Sequence, residues 1–502
     1  MKVDLKKIPK DRTVIIGAGM AGLSAAISLA SKGEDVILFE ARDYPGGKMR
    51  ELPSRRGGID SGPTVFTMKY VFESLFAEAG LDFDRAIKLQ KVSTLARHAW
   101  DDTGILDLHA SRGRTAEAIG DFFDRENAEG YLRFCKDAKG IFDTLKDTFI
   151  GAQRPGPVEL GSRVGLLNVK SLFKLQPFST LMQRLETYFT DARLRQLFGR
   201  YATYVGSSPY KAPATLMLIA HVEQEGVWLI DGGMHALARK METVAQDLGV
   251  EIRKGCGVAS IMMDGGRACG VITADGDLVA AKRVLYCGDV SALDDRFLPT
   301  PHKRPKPVSA ADRSLSAITW SMEARANDFP LHRHSVLFSD NYRAEFNAVF
   351  QQGRVPENPT VYVCSQDRSD DTSVRDKESE RLLCLVNAPA FGDHKRLSES
   401  ELEQCQNNML RTLNRCGLDL ELISQTITQP ADFHQLFPGS GGALYGRASH
   451  GWMASFQRQG ATTSIPGLYL AGGSVHPGAG VPMATLSGML AAEQIVKDRV
   501  LT

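Results

Sequence analysis

The sequence has almost no net charge, no long apolar run and no cysteine pairs. Of its 502 residues, 60 are Lys or Arg and 59 are Asp or Glu, which leaves a formal charge of +1. So even a balance supplies no global field for nucleic acid, and no such partner is expected. No stretch reaches the roughly 18 apolar residues of a membrane-spanning helix. The longest, such as Leu216–Ala220 and Leu468–Ala471, are short and flanked by polar residues or glycine. The cysteines (Cys135, Cys256, Cys269, Cys287, Cys364, Cys384, Cys405, Cys416) form no C-x-x-C pair, and no histidine cluster completes a zinc pattern. Buried free thiols in a reducing cytoplasm are therefore expected, and no metal. His332 and His334 are spaced to grip an ion, but a partly exposed loop is the simpler reading. Met1–Lys10 carries lysines without an apolar core, and the first strand begins near Thr13, so no cleaved signal peptide is expected.

What is present is an ordinary globular composition, 43% hydrophobic, long enough for two or three domains. Thr13–Ile16 is a short β-branched run, as a buried parallel strand should be. Gly17-Ala-Gly19-Met20-Ala21-Gly22 follows at once, then a helix over Leu23–Ala30, a stop at Gly33 and a second strand, Val36–Phe39, ending at Glu40. Gly17 permits the tight turn, Gly19 lets a pyrophosphate approach the backbone, and Gly22 lets helix and strand pack closely. The helix N-terminus offers free N–H groups, and Glu40 can accept from ribose hydroxyls. Strand, turn, helix, strand and acid in this order predict a Rossmann-type dinucleotide cradle.

Further glycine turns follow. Gly46-Gly47-Lys48-Met49-Arg50 adds two cations to a glycine pair, and Asp60-Ser-Gly62-Pro63-Thr64 adds another tight turn. Near the C-terminus Gly467–Ala471 reads as a buried strand, followed by Gly472-Gly473-Ser474 and the constrained loop Val475-His476-Pro-Gly478-Ala-Gly480-Val481-Pro482-Met483. A helix is expected from Thr485 to about Arg499. Such a turn and helix start could bring N–H groups to a flavin where negative charge develops on reduction.

Between these, Met234, Leu237, Ala238, Met241, Val244, Ala245 and Leu248 share one helical face. Val250–Arg253, Val258–Met263 and Ala268–Thr273 read as strands with hairpin turns at Asp264-Gly-Gly and Asp275-Gly. Lys282–Asp289 is expected to return to the first sheet. Helices are expected near Thr115–Thr148, Leu181–Tyr204 and Ser398–Cys416, and strands near Leu315–Met322 and Leu382–Val386. The expected fold class is α/β: a Rossmann-type FAD-binding domain from residues 1–85, 226–298 and 430–502, interleaved with an α+β substrate domain from 86–225 and 299–429.

The N-terminal succession resembles the FAD-binding segment shared by flavin amine oxidases, Rab GDP-dissociation inhibitors and carotenoid desaturases. The whole chain resembles a bacterial carotenoid desaturase of the phytoene-desaturase type. The matching stretches are Val14–Arg50, Asp60–Thr64, Gly226-Val-Trp228 with Gly232-Gly233, and Leu468–Gly480. Within that family, Gly62–Met68, Leu95–Trp100 and Phe198–Gly206 are most similar to the 1-hydroxycarotenoid 3,4-desaturases, also called methoxyneurosporene or hydroxyneurosporene dehydrogenases.

The resemblance implies FAD held by Gly17, Gly19, Met20, Ala21, Gly22, Glu40, Ala41, Gly47, Lys48, Arg50, Gly62, Pro63, Thr64, Val258, Gly473, Ser474, Val481, Pro482 and Met483. Ser474 stands where many FAD proteins of this fold carry an acid. It also implies a C-3,4 double bond introduced into 1-hydroxy or 1-methoxy acyclic carotenoids during carotenoid biosynthesis, by hydride transfer to flavin. An apolar tunnel would supply affinity, and a terminal hydroxyl would set the register. Tyr201, Tyr204 and Trp228 are candidates for lining it, or for ordinary core. His476 is a candidate base, or a structural hydrogen-bonding group. The substrate's insolubility implies a cytoplasmic enzyme peripheral to the inner or photosynthetic membrane. Val164–Leu175 and Lys303–Lys306 are candidate contacts, and oxygen or a quinone is the candidate electron acceptor. The alternatives left open are a phytoene or neurosporene desaturase, a carotenoid isomerase, a flavin amine oxidase and a non-catalytic lipid-chain carrier.

Overall fold

The computed structural model describes residues 12–101, 104–164, 178–300, 304–370 and 378–501. Its first strand, Thr13–Ile16, is buried along its whole length and sits at the centre of a five-stranded sheet. The order is Leu468–Leu470, Arg283–Tyr286, Thr13–Ile16, Val36–Phe39 and Glu251–Arg253. Every pairing in it is parallel. Both faces of this strand are covered, Ile15 by the Met20–Ala30 helix and Val14 and Ile16 by a three-stranded sheet of Val258–Asp264, Arg267–Thr273 and Leu278–Ala280, so these positions are apolar. The Met20–Ala30 helix is buried from Met20 to Leu29 because it packs against both the Met234–Asp247 helix and the Val481–Leu501 helix.

A second, seven-stranded sheet runs in the order Asp419–Thr428, Ser316–Asn327, Glu380–Ala388, Val361–Ser365, His334–Leu337, Thr94–Ala99, Ile105–His109. All its pairings are antiparallel except His334–Leu337 with Thr94–Ala99. The Glu399–Arg415 helix lies against it, opened by a capping box of Ser398 and Glu401. The hairpin of Glu51–Ser54 and Gly57–Asp60 links the two sheets. Ser61 Oγ lies 2.7 Å from Ser321 Oγ, and the Asp60 backbone exchanges two hydrogen bonds with the Gln366 amide.

Most expected elements lie within a few residues of their observed bounds, and four readings change or sharpen. The helix expected from Thr485 starts at Val481: Pro482 falls in its first turn, where a missing N–H costs nothing. The helical sections expected over Leu181–Tyr204 are two short helices, Leu181–Leu185 and Ala192–Gly199, followed by a 3₁₀ turn over Arg200–Val205. His334 is no exposed loop residue; it opens a buried strand. All eight cysteines are free, but Cys256 and Cys287 are only partly buried.

Candidate functional site

The glycine turn has the shape a diphosphate requires. Gly17 adopts φ +101°. A Cβ on Gly22 would lie 1.9 Å from the Gly17 carbonyl oxygen, so helix and strand touch there through hydrogen atoms alone. A Cβ on Gly19 would meet only the Gly47 Cα, at 3.9 Å, so its front is open. The Met20–Ala30 helix has no side-chain cap and no acid in its first turn, which leaves its N–H groups available to an anion. The first turn of the last helix packs beside it: Ser24 Oγ donates to the Thr485 carbonyl at 2.9 Å, and a Cβ on Gly488 would strike the Ala21 carbonyl. Met20 and Ala21 thus meet the helix begun by Val481, Pro482 and Met483.

At the far end, Glu40 accepts from the Ala18 and Arg42 N–H groups at 2.8 and 3.1 Å. Ala41 lies beside Gly257, one residue before Val258. The second glycine pair folds back onto the first: Gly46 N–H donates to the Ala18 carbonyl, and Gly47 at φ +58° faces Gly19. Lys48 Nζ donates to the Leu444 carbonyl at 2.6 Å, and burial lowers its pKa against the opposing pull of Asp289. A Cβ on Gly62 would lie 2.0 Å from the Lys48 carbonyl, so this glycine packs the Gly62-Pro63-Thr64 turn onto the Gly47-Lys48 turn. Arg50 departs from the expectation of a phosphate-facing cation. Its buried guanidinium donates to Thr428 Oγ1 at 2.9 Å and stacks over Phe433, which ties it to the larger sheet.

The C-terminal glycine loop is held by residues that sequence reading passed over. Buried Arg458 donates to the carbonyls of Tyr445, Arg447 and Gly473, and burial brings its pKa down to about 10. Ser487 accepts from Gly472 N–H and donates to the His476 carbonyl. Ser474 Oγ accepts from Val290 N–H at 3.2 Å. His476 turns its Nε2 onto the carbonyls of Phe149 and Ala152, each at 2.9 Å, and burial lowers its pKa to about 4. A ring whose Nε2–H is shared by two backbone carbonyls ties the loop to the Lys146–Ile150 turn, the structural role weighed for His476, while its Nδ1 is buried without a hydrogen-bond partner.

Beyond Thr64 lies a small internal cavity. Its walls include Val65, Leu95, Leu197, Val227 and Val336, and its polar end carries Arg200, Tyr201, Tyr204, Glu223, His334 and Tyr362. The 3₁₀ turn explains the pair of phenols. Three residues per turn place Tyr201 and Tyr204 on one face; Tyr201 donates to Glu223 at 2.9 Å, and Tyr204 packs beside Tyr201. Burial raises the Glu223 pKa to about 7, against the two phenols and Arg200. Burial also lowers the His334 pKa to about 3, so its imidazole is neutral. Tyr362 links His334 Nδ1 (2.7 Å) to Thr64 Oγ1 (2.6 Å). Arg200 lies over the Tyr362 ring. The stretches 62–68, 95–100 and 198–206, separated in sequence, all reach this cavity. Trp228 does not line it; it packs edge-on against Phe66 beneath Lys91. A signal for Glu223 was present in the sequence, an acid directly after the mostly apolar run Leu218–Val222. Arg458 offered none.

Among the described residues, no helix is long and apolar enough to cross a membrane. Residues 165–177 and Lys303, parts of the two stretches expected to contact one, lie outside the described residues.

The model of the flavin-containing amine oxidoreductase family matches residues 20–496. A hydroxyneurosporene desaturase of Rubrivivax gelatinosus is 48% identical over 492 residues, 97% of this chain and 93% of that protein. A 1-hydroxycarotenoid 3,4-desaturase of a Flavobacterium species is 30% identical over 499 residues, 96% of this chain and 99% of that protein. An oxidoreductase from Methanosarcina mazei has a similar structure, with a TM-score of 0.61 at 17% identity, over 96% of this chain and 100% of that one. Cyclohexylamine oxidase from Brevibacterium oxydans gives 0.58 at 14% identity, over 98% and 100%.

Proposed function

The chain belongs to the flavin-containing amine oxidoreductases, within their carotenoid-desaturase branch, and from this we propose that it introduces the C-3,4 double bond into acyclic carotenoids carrying a 1-hydroxy or 1-methoxy group. The observation that carries this reading is full-length similarity to hydroxyneurosporene desaturases.

Bound FAD would supply the hydride acceptor. Gly17, Gly19 and Gly22 with the uncapped helix would hold its diphosphate. Glu40 would hold ribose hydroxyls, with Ala41 and Val258 beside the adenine. Gly47, Lys48, Gly62, Pro63, Thr64, Gly473, Ser474, Val481, Pro482 and Met483 would surround the flavin end. We assign residues 1–85, 226–298 and 430–502 to the cofactor unit, and 86–225 and 299–429 to the substrate unit. No base is assigned for the proton that leaves the neighbouring carbon, because charge left by hydride loss spreads along the polyene.

We also propose docking on a membrane surface, where the substrate resides. Phe178 and Trp452 are 79% and 44% exposed and touch edge to face, an amphipathic pair suited to the headgroup level. Replacing both with Ser should reduce co-sedimentation with vesicles several-fold; unchanged binding would remove the patch from the docking surface. Oxygen or a membrane quinone is the proposed acceptor. The deciding assay supplies neurosporene, lycopene, their 1-hydroxy derivatives and phytoene in liposomes to the FAD-loaded protein. A lengthened chromophore from the hydroxylated compounds is expected, and desaturation of phytoene would overturn the reading.

A further inference from the structure

The cavity beyond Thr64 contains more polar chemistry than a core needs. Glu223 is 7% exposed and His334 3%, yet both face a space otherwise walled by valines and leucines. Arg200 Nε and His334 Nε2 are buried without a hydrogen-bond partner. Each such group is costly to bury unless something satisfies it. One unpaired N–H donor, one carboxyl and one unpaired imidazole nitrogen complement a group that both donates and accepts. A hydroxyl is the smallest such group.

Position adds a second argument, which rests on the proposed desaturation. In a 1-hydroxy carotenoid oxidised at C-3,4, the hydroxyl oxygen lies four bonds from C-4, about 5 Å at full extension. Its binding site must therefore border the cofactor. The Thr64–Tyr362–His334 chain gives this cavity that position, running from the glycine turn assigned to FAD to the unpaired imidazole.

We propose that this cavity receives the terminal tertiary hydroxyl and so sets which bond faces the cofactor. Glu223 accepts the hydrogen bond that the hydroxyl donates, and Arg200 Nε–H donates to its oxygen. Tyr201 holds the Glu223 carboxyl in place, the Tyr204 phenol favours its charged form, and Tyr362 holds His334. A methoxy oxygen can accept from Arg200 but has nothing to donate to Glu223, so 1-methoxy ligands bind more weakly than 1-hydroxy ones. Arg200, Glu223 and His334 are specificity-determining residues here.

The test compares wild type with Glu223→Gln, Arg200→Met and Tyr204→Phe, all FAD-loaded. Affinity is read from quenching of flavin fluorescence by a 1-hydroxy-3,4-didehydro carotenoid, which cannot be desaturated again at that bond, and by its counterpart without the hydroxyl. Values of kcat/KM are measured on 1-hydroxyneurosporene and neurosporene. Glu223→Gln and Arg200→Met should each lose about 10- to 100-fold on the hydroxylated ligand and little on the other, so the preference collapses. Tyr204→Phe removes one oxygen, keeps the ring and should shift the preference less, which protects the test should a larger change fail to fold. Unchanged preference in FAD-loaded variants, or equal loss on both ligands, overturns the proposal. If wild type leaves 1-hydroxyneurosporene unreacted, the proposed function falls. The wild-type affinity ratio then still decides the pocket: tighter binding of the hydroxylated ligand supports it, and equal binding overturns it.

Discussion

Gly19 and Gly22 separate two uses of a missing side chain. A Cβ at Gly22 would overlap the Gly17 carbonyl at 1.9 Å, whereas one at Gly19 meets open space. Gly22→Ala should therefore cost the cofactor-free protein about 1–3 kcal/mol. Gly19→Ala, at φ −71°, should leave that stability nearly unchanged and yet reduce bound flavin sharply. Denaturation of the apoprotein, alongside flavin per mole of purified protein, checks both. Glu223 makes a different prediction. Its pKa is raised to about 7 from 4.5 by burial, ahead of the opposing phenols and Arg200. A raised carboxyl favours the folded state below pH 4.5 and loses that contribution as pH rises through 7. Glu223→Gln should thus gain about 3 kcal/mol relative to wild type between pH 4.5 and 8, read from urea unfolding at each pH. The two glycines were legible in sequence because a turn's conformation is local. The state of Glu223 was not, because its cause is burial among distant residues.

At the scale of elements, the Asp60 and Gly232-Gly233 motifs prove to be one device. Asp60 accepts from the N–H groups of Met234 and His235 at the start of the Met234–Asp247 helix. Gly233, at φ +85°, leaves room for its carboxylate; a Cβ there would lie 2.5 Å from Asp60 Oδ2. Asp60→Ala should cost about 1–2 kcal/mol. Gly233→Ala should cost less in the Asp60→Ala background than in wild type, by at least about 0.5 kcal/mol, which a double-mutant cycle of denaturation midpoints measures. Additive costs would separate the two residues. Sequence periodicity found the helix itself and the helix 399–415. It marked helical sections over 181–204 but not the 3₁₀ turn at their end, because apolar spacing does not separate the two helix types, and that turn is what aims Tyr201 and Tyr204 together.

At the scale of the molecule, the assigned cofactor residues come from widely separated parts of the chain, near 17–64, 258 and 473–483. A ligand bridging them binds only the folded state. Adding FAD at 100 times its dissociation constant should stabilise the apoprotein by about 2.7 kcal/mol. Thermal unfolding against FAD concentration checks this, and a flat response would contradict the bridging assignment.

The sequence by itself determined the cradle, the β-branched central strand, the glycine turns and the resemblance that predicted the family. Each is written in consecutive residues whose allowed backbone shapes and periodicity are local physics. Only the tertiary structure decided what surrounds the cradle. It turned Arg50 towards Thr428 and His476 towards Phe149, and it drew His98, Arg200, Glu223, His334 and Tyr362 to one cavity. The cavity residues come from the larger sheet, the 3₁₀ turn and the Leu218–Glu225 helix. Strand pairing across hundreds of residues, such as His334–Leu337 beside Thr94–Ala99, brings them together, and burial then fixes which of them carry charge.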